Sequence, residues 1–170
     1  PAERPSPSSD VETDDTQPCG MPPQQRREDI LSVLDNVTSP ALLRSSSDHR
    51  GMAANWLIGQ DALKLCPNSE KIVQRWTLAL VYFSSNGNNW FKCSTNGTGD
   101  GCGTTFPFDD EEDRFLAPVN ECKWAGIECN SDLCVTEVEF ELNNLIGTMP
   151  PEMSLLSNLK LLGMERGGLS

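Results

Sequence analysis

The chain has 170 residues, enough for one or two domains, and 25 acidic against 13 basic residues give a net charge of −12. This charge repels phosphates and anionic headgroups, so it excludes nucleic acid and acidic lipid surfaces as preferred partners. The longest apolar run, residues 78–83, is far shorter than the roughly 20 residues that cross a bilayer. We therefore expect no membrane contact within this segment, although the parent protein could be anchored elsewhere.

Residues 1–24 contain five acidic residues, six prolines and almost no bulky apolar side chain. Such a composition buries too little apolar surface to offset the entropy lost on ordering. We predict a disordered acidic, proline-rich tail or linker. The folded region is expected to begin at residue 25.

Residues 25–134 are predicted to be largely helical. A stripe of apolar residues predicts a first helix over residues 25–36, and Ser39-Pro40 is a typical helix start. The strongest helix is predicted over residues 69–83. We expect Lys71, Gln74 and Arg75 on its solvated face. Its apolar stripe recurs at steps of four, four and three residues: Ile72, Trp76, Leu80 and Phe83.

Residues 92–120 form a polar insertion. Asn96 to Gly101 resembles the opening of a calcium loop, but Pro107 occupies the position at which such a loop needs a bidentate glutamate. We therefore predict a solvated loop and no metal site.

Seven cysteines, six of them between Cys66 and Cys134, favour an oxidising compartment and disulfide bonds. A zinc site or free buried thiols are the alternatives, and they are disfavoured by the single histidine, His49, and the absence of a C-x-x-C pair. Two N-x-[ST] sequons, at Asn36 and Asn96, fit the same compartment and predict glycosylation. No nucleophile or phosphate-binding motif accompanies His49, so we predict neither catalytic residues nor a cofactor.

After residue 134, apolar residues recur at a constant offset of 24, since 159 − 135, 162 − 138 and 169 − 145 all equal 24. This interval is typical of leucine-rich repeats, which need several copies to bury their apolar face. Asn143 occupies the turn position of the first copy, whereas Gly167 replaces asparagine in the second. The first set is Val135, Val138, Phe140 and Leu145, and the second is Leu159, Leu162, Met164 and Leu169.

Three motifs share one resemblance. They are C-x-W-x-G-I-x-C over residues 122–129, L-x-G-x-M-P over residues 145–150, and a helix over residues 79–83 followed by N-G-x-x-W over residues 86–90. On these motifs the chain resembles the N-terminal cap and first two repeats of plant-type leucine-rich-repeat proteins, including secreted or cell-surface proteins of algae. With only two copies present, we expect the chain to be a fragment of a longer protein.

The resemblance implies an α/β fold. A helical cap stapled by disulfides, residues 25–134, is expected to lead into the start of a solenoid, residues 135–170, with parallel strands on its concave face. It also implies a disulfide between Cys122 and Cys129. For the other cysteines we expect Cys93 with Cys102 and Cys66 with Cys134, which leaves Cys19 unpaired, although many connectivities are open.

Alternation along the first repeat turns Val138 and Phe140 inward, so Glu137, Glu139 and Glu141 project together from the opposite, concave face. An ordinary solvated surface accounts for this acidic stripe, and the functional alternative is attraction of a cationic ligand. The resemblance implies an extracellular recognition module that binds a protein, peptide or glycan. A secreted inhibitor or cell-wall structural protein, and the ectodomain of a receptor kinase, are the alternatives.

Overall fold

The computed structural model describes residues 17–91, 93–94, 113–140, 143–164 and 168–169, the last two through their backbone alone. The α-helices are α1 Pro23–Leu34, α2 Pro40–Leu43, α3 His49–Asn55 and α4 Ile72–Ser84, and a π-helical turn, Trp56–Gln60, follows α3. The strands are β1 Ile127–Cys129, β2 Val135–Glu139, β3 Ile146–Gly147, β4 Leu161–Gly163 and β5 Gly168–Leu169. None of the described helices is long and apolar enough to cross a bilayer.

Local chemistry explains where the helices start. Pro23 opens α1, where its fixed φ suits a first helical residue and its missing N–H costs no hydrogen bond. Asp48 caps α3 by accepting a hydrogen bond from the backbone N–H of Arg50. Gly51 lets α3 lie against the preceding loop, because a Cβ there would be 1.8 Å from the carbonyl oxygen of Ser45.

Helix α4 is the centre of the core, as its apolar stripe predicts. Ile72, Trp76 and Leu80 are each at most 1% exposed, and α3 packs along the helix. After α4, an aromatic cluster joins the helical part to the sheet. Its members are in ring contact with one another: Tyr82, Trp90, Phe115, Trp124 and Phe140.

The predicted α/β fold class with a solenoid is wrong. The described residues form four helices and a small mixed sheet in the order β1-β2-β4, with β1 antiparallel and β4 parallel to β2. Strands β3 and β5 pair over only two residues. The parallel contact of β2 with β4 spans three residue pairs, too few to form a continuous stack, and β1 enters the sheet as one arm of a hairpin.

The register of β2 and β4 reproduces the interval seen in the sequence. Glu137 pairs with Leu161, Val138 with Leu162, and the offset is again 161 − 137 = 24. Periodicity thus located two segments that pair, but it did not specify the architecture around them.

The predicted disordered tail, residues 1–24, is described only in part. Its described residues include the turn Pro18–Gly20 and the first two residues of α1, whereas residues 1–16 lie outside the described part.

Candidate functional site

The β1–β2 hairpin is fixed to the helical part by Gln74. Its amide nitrogen donates to Glu121 Oε1 at 2.7 Å and to the carbonyl oxygen of Leu133 at 2.9 Å. Its amide oxygen accepts the backbone N–H of Val135 at 2.9 Å. One side chain of α4 thereby sets where β2 begins.

Arg75, the next residue of α4, is fully buried in an ion-pair cluster. Its Nε and Nη2 donate to the two carboxylate oxygens of Asp61 at 2.7 and 2.8 Å, and its Nη1 donates to Glu121 Oε2 at 3.1 Å. The carbonyl oxygens of Val119 and Ala117 accept the remaining two N–H groups, at 2.7 and 3.1 Å. All five guanidinium donors are therefore used inside the protein.

Two tryptophans complete the surroundings of Arg75. The guanidinium carbon lies 4.6 Å from the ring centroid of Trp124 and 5.4 Å from that of Trp56, which are cation–π distances. Because every donor is used and both carboxylates are fully buried, this cluster holds the fold together and offers nothing to a ligand. The expectation that Arg75 lies on the solvated face of its helix is wrong.

The outer face of the sheet carries the predicted acidic residues. Val138 and Phe140 are at most 1% exposed and face the core, whereas Glu137 and Glu139 alternate with them and are partly exposed. The third predicted member, Glu141, lies outside the described residues. The structure thus places two of the three predicted carboxylates on one face.

Sequence reasoning missed a further carboxylate on the same face. Glu128 of β1 is exposed and pairs directly with Glu137 in the antiparallel register. The signal was the turn-forming stretch Asn130-Ser-Asp132 between two short runs suited to strands, which indicates a hairpin. Without that hairpin, Glu128 had no assigned partner.

Small and apolar residues flank these carboxylates. Leu161 of β4 pairs with Glu137 and is 42% exposed, so it adds an apolar group to the outer face. Glu139 lies between two glycines: its N–H donates to the carbonyl oxygen of Gly126, and Gly163 of β4 is its pairing partner. We define the acidic face as Glu128, Glu137, Glu139 and Leu161.

The acidic face offers three carboxylates and one apolar side chain. None of its three carboxylates forms an ion pair with a described basic residue. Within the described part of the chain, no group of three His, Cys, Asp or Glu is arranged to hold a metal ion. The arrangement is suited to binding a positively charged group.

The disulfides differ in part from the prediction. Cys122 and Cys129 are bonded, as predicted, with a Cα–Cα distance of 5.6 Å. Cys66 is bonded to Cys19, because the turn before α1 packs beside residues 64–66, so the predicted pair of Cys66 with Cys134 and the unpaired Cys19 are both wrong. Two disulfides fit an oxidising environment.

Two predictions about cysteine and asparagine fall partly outside the described chain. Cys93 is disulfide-bonded, while Cys102, its predicted partner, lies outside the described residues. Cys134 is the free cysteine of the described part, and Lys71 Nζ lies 3.2 Å from its sulfur.

Of the two predicted glycosylation sites, Asn36 is exposed, and its side-chain amide donates to the carbonyl oxygen of Ser32. Asn96 lies outside the described residues.

A scan against protein-family models, a search of curated proteins and a search of solved structures each gave no match to this chain.

Proposed function

We propose that the protein is an extracellular recognition module that binds a cationic peptide segment of a protein partner on its acidic face. The observation that carries the proposal is the alignment of Glu128 with Glu137 across β1 and β2, beside Glu139. Like charges placed directly opposite each other cost folding stability. A cationic ligand would relieve that repulsion and so gain affinity.

The electrostatics of the whole chain act in the same direction. The net charge of −12 attracts a basic partner over distances of about a Debye length, near 10 Å at 0.1 M salt. Because the three carboxylates have no basic partner among the described residues, a bound lysine or arginine displaces no existing ion pair. Steering of this kind raises the association rate more than the final affinity.

The shape of the face favours an extended peptide. Gly163, the pairing partner of Glu139, adds no side chain to the face, and Leu161 supplies an apolar contact next to Glu137. Among the described strands, β4 is at the edge of the sheet, where its backbone can pair with an added strand. Charge and apolar contact together give specificity that a charge alone lacks.

The cysteines support the extracellular part of this proposal. The disulfides Cys19–Cys66 and Cys122–Cys129 fit an oxidising environment. The resemblance of residues 122–129 to caps of plant-type leucine-rich-repeat proteins supports an extracellular or cell-surface location. The solenoid itself is not part of this proposal.

The test is a fluorescence-anisotropy titration of a labelled peptide of alternating lysine and threonine with the oxidised protein. We expect saturable binding that weakens as salt is raised, since exposed charges are screened. A peptide of alternating glutamate and threonine should not bind. Glu137→Gln and Glu139→Gln should each weaken binding roughly threefold to tenfold, the effect of losing one charged contact.

The matched control is Glu70→Gln, which removes an exposed carboxylate outside the sheet and should leave binding unchanged. If the control weakens binding as much as the variants of the acidic face, the attraction belongs to the net charge of the chain and the proposed site is wrong. Absence of saturable binding at low salt would also contradict the proposal.

A further inference from the structure

A cavity lies between the start of α1 and the turn Trp56–Gln60, and no residue of the sheet lines it. Its volume of about 390 Å³ falls within the range of about 300–1,000 Å³ that is common for small-molecule sites. One part of its lining is apolar, namely Pro18, Met21, Pro23 and Ile58. The other part carries the basic residues Arg26, Arg27 and Lys64.

Arg26 is a buried cation without a carboxylate partner. It is 4% exposed, and its Nε and Nη2 donate to the carbonyl oxygen of Leu65 at 3.1 and 2.9 Å, while Nη1 donates to that of Ile58 at 2.7 Å. No described carboxylate forms an ion pair with it. Burial lowers the pKa of Arg26, and the more distant charge of Asp61 offsets this only in part.

The other two basic residues are also without a described carboxylate partner. Lys64 Nζ donates to the carbonyl oxygen of Gly59 at 2.9 Å, and the guanidinium of Arg27 makes only long contacts of 3.4 and 3.5 Å with Asn55 Oδ1. Three cations therefore surround one cavity in a chain whose net charge is −12. A buried or partly buried charge without a counter-ion is costly, and an anionic ligand would reduce this cost.

Helix α1 adds to the positive potential. Its 12 residues begin at Pro23, and no side chain at Pro22 caps the first turn. The unpaired N–H groups and the dipole of a helix start favour a negative charge. Gln24, in this first turn, also lines the cavity.

We propose that this cavity binds a small amphipathic anion, a monocarboxylate that carries an apolar chain or ring. The carboxylate lies toward Arg26, Arg27 and Lys64, and the apolar part contacts Met21, Pro23 and Ile58. The site is separate from the acidic face, so it does not depend on the function proposed above.

The test uses octanoate as the probe and octanol as its neutral analogue, each titrated into the oxidised full chain by isothermal titration calorimetry. We expect saturable binding of one octanoate with a dissociation constant below about 1 mM. Octanol should bind at least tenfold more weakly, because it lacks the charge that the three cations require. Raised salt should weaken octanoate binding and leave octanol unaffected.

Two variants act on the two parts of the site. Gly59→Phe places a large ring on a residue that lines the cavity, at a position where a Cβ meets no atom within 4 Å and the backbone is not left-handed. We therefore expect the fold to be retained and the ring to occupy the cavity. Lys64→Gln removes one cation. We expect Gly59→Phe to abolish octanoate binding and Lys64→Gln to weaken it roughly tenfold.

Matched controls are Ala62→Phe and Lys123→Gln, two exposed positions that do not line the cavity, and both should bind octanoate like the wild type. Near-ultraviolet circular dichroism confirms that each protein is folded. Unchanged octanoate binding by folded Gly59→Phe would overturn the proposal. It would equally be overturned by equal affinities for octanoate and octanol, or by no octanoate binding at all.

Discussion

Arg75 shows how a single charged residue can determine the arrangement of a core. It joins α4 to Asp61 after the π-helical turn and to Glu121 before β1, and all three side chains are fully buried. Loss of the guanidinium would leave two carboxylates buried and uncompensated. Such a loss costs more than the deletion of an exposed ion pair.

We predict that Arg75→Met lowers the free energy of unfolding by about 3–5 kcal/mol, the usual cost of breaking a buried ion pair from one side. Urea unfolding followed by tryptophan fluorescence measures the change. The control is Arg44→Met, which removes an exposed ion pair with Asp35 and should move the midpoint far less. Equal effects of the two variants would show that Arg75 is not the centre of the core.

A second residue-scale prediction concerns Glu152, which accepts hydrogen bonds from Arg50 and Thr38. Burial alone would raise the pKa of Glu152, but the hydrogen bonds from Arg50 and Thr38 outweigh it, so the pKa is lowered from its ordinary value of 4.5. A lowered pKa means that the folded state favours the carboxylate. The stabilisation is present above pH 4.5 and is lost as pH falls through the lower folded-state pKa.

Glu152→Gln should therefore reduce stability by about 1–2 kcal/mol near neutral pH and by progressively less in acid. The measurement is the difference in unfolding free energy between wild type and variant across a pH series. A difference that stays constant from neutral to acid pH would contradict the assigned pKa shift.

For single residues, the sequence predicted burial and exposure correctly within strand β2, where side chains alternate between the two faces of the sheet. Val138 and Phe140 face the core and Glu137 and Glu139 do not, because a strand has only two faces. Arg75 was misplaced, since an arginine within a helix is normally solvated and its partners are 14 and 46 residues away in the chain. Only the tertiary fold brings them together.

Among the elements, the β1–β2 hairpin contributes the three carboxylates of the proposed binding site. The hairpin is short, with three residues in β1 and five in β2, and it places Glu128 directly opposite Glu137. Such a pair is unfavourable for folding. The folded protein tolerates this cost, as expected if the face serves binding.

We predict that Glu128→Thr stabilises the protein by about 0.2–1 kcal/mol, because the cross-strand repulsion is removed and a β-branched residue suits a strand. Glu139→Thr is the matched control, since its pairing partner in β4 is Gly163 and no carboxylate is opposite. Thermal unfolding compares the two variants. A gain that is no larger for Glu128→Thr than for Glu139→Thr would argue against repulsion across the strands.

The elements differ in how well the sequence predicted them. Helix α4 follows from its apolar stripe, which continues over about three turns. Strand β1 was missed because three residues are too few to show alternation, and its pairing depends on the turn that follows. The 24-residue offset predicted the pairing of β2 with β4, since apolar residues of the two segments recur at that interval and the paired residues have the same offset.

At the scale of the whole molecule, the two disulfides whose cysteines both lie in the described residues close loops of very different length. Cys19–Cys66 spans a separation of 47 residues and Cys122–Cys129 one of 7. A longer closed loop removes more entropy from the unfolded chain. The first bond therefore contributes more to the stability of the helical part.

We predict that replacing Cys19 and Cys66 by serine costs about 4 kcal/mol, against about 2.5 kcal/mol for the same change at Cys122 and Cys129. Urea unfolding of the two double variants measures the difference. The opposite order of stabilities would contradict the loop-length account.

The fold class was the largest error, and its reason is physical. The spacing of apolar residues in the sequence indicates helices and repeat intervals. The number of strands in a sheet is set by contacts between segments that are distant in the chain. Here the sheet of β1, β2 and β4 is short and mixed, and the helices around α4 form most of the core. The part of the outer face that β2 contributes, Glu137 and Glu139, could still be predicted, because it depends on alternation within that strand alone.

The most direct test of the central claim is an NMR titration of the ¹⁵N-labelled, oxidised protein with the peptide of alternating lysine and threonine. The account predicts that the backbone amides of Glu128, Glu137, Glu139 and Leu161 shift together in a saturable manner, while those of α1 and α4 stay in place. Shifts spread evenly over exposed acidic residues, or confined to the helices, would contradict binding at the acidic face.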